Sequence, residues 1–409
     1  MKYYPKRNLI IGGIIFITVA LLFADDVTSN WRGPNRDGKY LETGLLESWP
    51  ESGPELIWSY TGLGLGFASA AVTDNMIYTT GMVEEIGYVF AFDKSGNLLW
   101  KRDYGNEWNR NYPGTRTTPI VVGDLLYIEG TNGAVVCLNA VNGTVVWSTN
   151  LFEEYGARNI TWGITESLLI DGERVICTPG GSENNVIALN RYNGEEIWTS
   201  PGASGRSAYC SPVLVEHGGR RIIVTMTDQY IIGVNAEDGD VLWKHKHRTS
   251  YDINPNTPYY QDSKIYCVSG YGVGGVQLIL SPDGSDIKEV WRNETLDSQI
   301  DAFIVHEGFI YGTSHQRPGW HCLEWETGEE TFTGPGLGKG NVILADGLLY
   351  HYSDNGKVGL IRPNPESFDL ISSFEVTAGT DQHWAHPVIS DGILYIRHGD
   401  TLLAYNIRK

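Results

Sequence analysis

Charge is sparse in this sequence: Asp, Glu, Lys and Arg together make up 19% of its 409 residues. Long helical bundles and coiled coils draw heavily on those residue types, so both are poor fits. Cysteine is scarcer still. Cys137, Cys177, Cys210, Cys267 and Cys322 are odd in number and far apart. They form no CxxC or CxxCH pair, so zinc ribbons, thiol oxidoreductase motifs and covalent haem attachment lack their spacing. Neither a Gly-x-Ser-x-Gly elbow nor a His-Glu-x-x-His helix occurs, which leaves serine hydrolase and zincin chemistry without an anchor. The Gly-rich run from Gly270 to Gly275 lacks the Lys-Ser/Thr and following helix of a phosphate loop, and reads as a wide hairpin.

The formal net charge is −19, which argues against nucleic acid as a partner because like charges repel the phosphate backbone. The cysteines sit in apolar runs such as Val135-Val136-Cys137-Leu138 and read as buried small hydrophobes, with one disulfide left open. The main apolar run, Leu9 to Phe23, is shorter than the about 20 residues of a spanning helix. Lys2, Lys6 and Arg7 precede it and Ala24-Asp25-Asp26 ends it, the pattern of a signal peptide cleaved after Ala24. Residues 1–24 are read as an export signal, with an uncleaved anchor as the alternative and the only route to a membrane. The expected location is periplasmic or extracellular.

Glycine, tyrosine and tryptophan are abundant, at 49, 23 and 13 residues. They recur in one pattern: Asn or Asp, a turn ending in Gly, then three residues and Trp. Asp93 to Gly96 and Trp100, Asn139 to Gly143 and Trp147, and Asn190 to Gly194 and Trp198 are clear copies. The aromatic series runs Trp58, Trp100, Trp147, Trp198, Trp243, Trp291, Phe332 and Phe374. Its spacing of roughly 40 to 50 residues is the period of a four-stranded propeller blade. A second hairpin precedes each turn, as in Thr118 to Ile128. The expected fold is all-β, an eight-bladed β-propeller of four-stranded antiparallel blades. The last unit, His386 to Ile407, lacks its Trp strand, while Leu56 to Tyr60 is an orphan Trp strand near the N-terminus. Pairing the two closes the ring and protects its edges. Residues 25–54 are then an extended segment and residues 55–409 the propeller.

On the repeated Gly and Trp turns, the chain resembles the PQQ-binding-like β-propeller repeat proteins of the quinoprotein alcohol dehydrogenase-like superfamily. Trp31-Arg32-Gly33-Pro34-Asn35-Arg36-Asp37-Gly38, Gly336 to Gly340 and Trp384-Ala385-His386-Pro387 add a likeness to exported bacterial members. The first stretch also reads simply as a turn packed on the propeller. The resemblance implies two functions. Outer-membrane assembly factors of this fold present loops to partner proteins, although this chain lacks a lipoprotein cysteine. Quinoprotein dehydrogenases hold PQQ in the funnel with Ca²⁺, a Glu, an Asn, an Asp, a floor Trp and a vicinal Cys-Cys roof. No adjacent cysteines occur here, and no Glu/Asn/Asp triad is recognisable by motif.

The leading expectation is therefore a binding or scaffolding module with an unknown protein or small-ligand partner in the cell envelope and no cofactor. A quinoprotein-type oxidoreductase using PQQ and Ca²⁺ is the alternative. No catalytic, cofactor or metal residue is assigned. Residues just before each innermost strand gather at one mouth of a propeller, and they make the candidate ligand ring. These are Arg116, Trp162, Glu166, Arg206, Tyr209, Asn254 and Asn256, then Gln299, Asp301, Lys339, Asn341, His383 and His386. Trapped water solvating any propeller channel accounts for such polarity equally well. His383 and His386 invite a metal reading that their spacing supports only weakly. The run Lys244 to Arg248 reads as a solvated edge.

Overall fold

The computed structural model describes Met1, residues 27–251 and residues 253–409. The signal segment ending at Ala24 lies outside the described residues. Those residues form eight antiparallel four-stranded sheets arranged as a propeller. Blades 1 to 7 span residues 71–106, 120–150, 169–200, 213–246, 259–293, 303–334 and 340–375. Blade 8 combines residues 388–406 with strand β3, Glu55–Thr61, which pairs antiparallel with Thr401–Asn406. The ring is thus sealed by strands from both ends of the chain. Three inner strands of each blade are largely buried and apolar, while the outermost strands are mostly exposed or half-buried. The core is correspondingly divided into clusters of buried residues, several of them joining neighbouring blades.

The repeated turn works through a bulge. In every blade the register slips by one residue between the third and fourth strands, at Ala91/Phe92, Cys137/Leu138 and Ala188/Leu189 for example. Strand β3 repeats the slip between Leu56 and Trp58 without any covalent turn. A bulge re-aims the residues that follow it, and here it sets the Trp against the next blade. Trp58, Trp100, Trp147, Trp198 and Trp291 lie on Gly96, Gly143, Gly194, Gly239 and Gly328, where a Cβ would stand 2.4–2.7 Å from the indole. The indole N–H of Trp147 donates to Arg191 O at 2.8 Å, and that of Trp198 to Ala236 O at 3.2 Å. Only Gly of each turn has positive φ; the Asn or Asp before it does not. The motif Gly-x₃-Trp is thus an inter-blade contact as much as a turn.

Two blades carry a fifth, innermost strand. β1, Val27–Ser29, pairs antiparallel with Ile120–Val122 of blade 2, and β2, Lys39–Tyr40, pairs parallel with Gly340–Ala345 of blade 7. The segment between them therefore crosses the central channel. All five cysteines are buried and free. Cys137 and Cys322 stand opposite Trp147 and Phe332, where the aromatic leaves room for a small side chain. The run Lys244 to Arg248 differs in part from a solvated edge. Lys244 and Lys246 are exposed, but His247 is buried against Ser269, and desolvation lowers its pKa to about 3.

Candidate functional site

The channel is filled by the chain itself. Arg32 and Arg36 adopt left-handed backbone, φ 56° and 59°, and both are 3–4% exposed. Arg32 Nη1 donates to Asp301 Oδ1 at 3.1 Å, and Nη2 to Phe303 O at 3.0 Å. Arg36 donates to Ser167 O at 2.6 Å and to Leu168 O at 3.0 Å on the opposite wall. Trp31 Nε1 donates to Thr257 Oγ1 at 3.1 Å, and its ring meets His386 edge-on at 4.9 Å. The loop folds on itself through Gly38 N to Arg32 O at 2.8 Å. Burial lowers the Arg36 pKa to about 10 despite the Glu166 and Asp301 carboxylates nearby. Two guanidinium groups thus occupy the middle of a carboxylate-lined channel.

This plug separates two cavities. One, about 430 Å³, lies between Asn30–Asp37 and the inner strands of blades 3 to 5. The other, about 460 Å³, is a cup at the funnel mouth to which every blade contributes. Phe67, Arg116, Glu166, Tyr209, Pro255, Asp301, Lys339 and His386 come from the eight successive approaches to an inner strand. Of the expected ring, Arg116, Trp162, Glu166, Tyr209, Gln299, Asp301, Lys339 and His386 line the cup. Arg206, Asn254, Asn256, Asn341 and His383 do not. Arg206 pairs with Asp228 at 3.2 Å beside a separate lateral cavity. Asn254 and Asn256 are fully buried and hydrogen-bond main-chain carbonyls, as does Asn341 to Trp384 O and Ala385 O. His383 stacks on His398 at 3.6 Å, away from His386, so the two do not converge. Among the described residues no group of three or more His, Cys, Asp or Glu side chains is placed to hold a metal.

Sequence reasoning missed Trp31, Phe67, Tyr112, Tyr271 and Trp384, which make the cup aromatic. Trp384 contacts Phe67 and Tyr112, each at 5.0 Å, and Trp162 lies 6.4 Å from Tyr209. Tyr112, Tyr209 and Tyr271 hold left-handed φ of 54°, 71° and 61°. For bulky side chains that conformation is strained, and such strain clusters at functional sites. Below them, Glu166 accepts from Thr178 N at 2.6 Å and from the Thr178 hydroxyl, and burial raises its pKa. Glu129, its buried neighbour, accepts no hydrogen bond, and burial and the Glu166 charge push it well above the usual carboxylate range.

The residues do not fit PQQ with Ca²⁺. Asp301 already accepts from Arg32, Thr257 N and Thr257 Oγ1. Both Glu166 oxygens are used by Thr178, and the Asn256 amide by Val268 O, Ser298 O and Asp301 N. A divalent cation beside two buried guanidinium groups is repelled rather than held.

Eight such blades, closed by a shared sheet and docked through Trp on Gly at five of their interfaces, define a PQQ-like β-propeller. Residues 85–334 match the family model described as outer membrane protein assembly factor BamB, and the chain belongs to that family. It is 26% identical over 215 residues to the assembly factor BamB of Kangiella koreensis, covering 51% of this chain and 50% of that protein. It is 22% identical over 227 residues to the quinohemoprotein alcohol dehydrogenase of Comamonas testosteroni, covering 53% and 31%. The chain thus spans half or less of the length of the curated relatives it matches. The crystal structure of BamB from Moraxella catarrhalis superposes with a TM-score of 0.61 at 15% identity, over 86% of this chain and 99% of that one. The Comamonas dehydrogenase structure gives 0.65 at 12%, over 91% and 79%, a likeness of fold.

Proposed function

We propose that the chain is an exported, non-catalytic binding module of the cell envelope, using the funnel cup for a ligand and the outer edge of the ring for a protein partner. The observation that carries this reading is the Arg32–Arg36 plug, which pairs Asp301 with Arg32 and sets a second buried guanidinium where a metal-supported quinone would need a cation. The outermost strands support the protein partner. Leu56 and Ile57, Leu98 and Leu99, and Val145 and Val146 are 41–52% exposed, each pair just before the Trp of adjacent blades 8, 1 and 2. Repeated apolar pairs of this kind mark an interaction surface. The family description, an outer membrane assembly factor, agrees with such a role. The dehydrogenase alternative is tested by calorimetric titration of the full chain with PQQ, with and without Ca²⁺, and by dye-linked alcohol oxidation. The expected result is no Ca²⁺-dependent binding and no turnover; Ca²⁺-dependent binding or turnover overturns the proposal.

A further inference from the structure

The innermost strand of each blade turns one main-chain edge toward the central channel, and an unpaired edge of N–H and C=O groups is a template for another strand. The N-terminal segment uses such edges twice. Val27–Ser29 pairs with Ile120–Val122 of blade 2, and Lys39–Tyr40 with Gly340–Ala345 of blade 7. Arg32 takes a third through Phe303 O of blade 6. Blades 3, 4 and 5 keep theirs. Leu169–Asp171, Val213–His217 and Tyr259–Gln261 each end their sheet, and among the described residues their main chain bonds only within the blade.

These three edges front one cavity, the space of about 430 Å³ across the plug from the cup. Its wall takes in Leu169 and Ile170, Val213 to Val215, and Pro258 to Tyr260, each an unbroken run. Side chains of a strand alternate between its faces, so a wall of consecutive residues is the main-chain edge itself. The rest of the wall is the plug, whose Pro34 and Asn35 are exposed and open the cavity to solvent. Val213–His217 belongs to the middle blade and is the longest of the three strands. A peptide main chain matches the alternating donors and acceptors along such an edge, which a compact polar ligand does not. The channel itself shows what its edges accept: Val27–Ser29, a short extended run of small, uncharged side chains.

We propose that this cavity takes an extended segment of a partner protein, which pairs with Val213–His217 as a fifth, innermost strand of blade 4. The main chain of the segment supplies the hydrogen bonds, as that of Val27–Ser29 does in blade 2. Its side chains are small and uncharged, because Leu169, Ile170 and the plug close in on both sides. The site is distinct from the cup and from the outermost strands. This inference rests on the reading of the chain as a partner-binding module. That reading fails through Ca²⁺-dependent quinone binding or turnover, whereas this one fails in peptide titrations alone.

The test titrates the full chain calorimetrically with acetyl-Val-Thr-Ser-Asn-amide, a copy of residues 27–30, and with the same peptide N-methylated at each residue. The copy should bind saturably, and N-methylation should weaken it at least roughly ten-fold by removing the N–H donors. Hydrogen exchange with the peptide bound should show new protection of amides within Val213–His217. Equal binding of the N-methylated peptide overturns the strand pairing. Protection at Ile120–Val122 instead overturns the location, since the peptide then replaces the chain's own strand. No saturable binding at millimolar peptide overturns the proposal.

Discussion

Replacing Arg32 by Met keeps most of the side-chain volume in the channel and removes its charge. Both partners are buried, with Arg32 and Asp301 side chains 1% and 4% exposed. Removing one member of such a pair costs about 3–5 kcal/mol, because the other charge stays in a poor solvent. Asp301 keeps its Thr257 donors and the field of Arg36, which places the loss near the lower end, about 3 kcal/mol. Unfolding entropy of about 2.1 cal/mol/K per residue over roughly 380 residues converts this to a Tm drop of about 4 °C. Burial already raises the Asp301 pKa, and loss of Arg32 raises it further. A carboxylate with a raised folded-state pKa destabilises above its unfolded value of about 3.9, so the deficit should be full at pH 7 and fade toward pH 4. Asp301→Asn in the Arg32→Met background should recover at least half. Urea unfolding at both pH values reads all of this. A loss under about 0.5 kcal/mol at pH 7 refutes the seating of Arg32 on Asp301.

Glu129→Gln replaces a carboxyl that burial and the Glu166 charge push well above the usual carboxylate range, so it should raise Tm at pH 8 and do nothing at pH 4; pH-dependent calorimetry reads the crossover. Gly194→Ala puts a Cβ 2.7 Å from Trp147 at φ 76°, and should cost about 2–4 kcal/mol in urea unfolding. Gly172→Ala, at φ 57° with open space around it, should cost only about 1 kcal/mol. The five buried thiols, of which burial pushes Cys137, Cys210 and Cys322 up to about 11–12, should resist a thiol reagent until unfolding, and reductant should leave Tm unchanged.

The blades were legible because one local device repeats: a Gly turn, a bulge and an aromatic that must reach the next turn. Even closure followed, since Trp58 had no turn of its own and the last unit had no Trp. The plug was hidden for the opposite reason. Arg32 and Arg36 sit in a Pro/Asn/Gly stretch that looks like surface, and their burial depends on partners 269 and 131 positions away. The mouth was legible where a residue directly precedes an inner strand, as with Arg116 and Lys339. Tyr271 escaped because it lies in the hairpin between Lys264–Ser269 and Gly274–Leu280 and folds back over the mouth. His383 and His386 share a short stretch, yet one stacks outside on His398 while the other turns inward to Ile300.

Hydrogen exchange of the amides between Val27 and Tyr40 in the native full chain tests the central claim most directly. Amides such as Gly38, bonded to Arg32 O at 2.8 Å inside the ring, should exchange as slowly as those of the inner blade strands. Exchange of that segment at the rate of an open loop contradicts a channel filled by its own arginines.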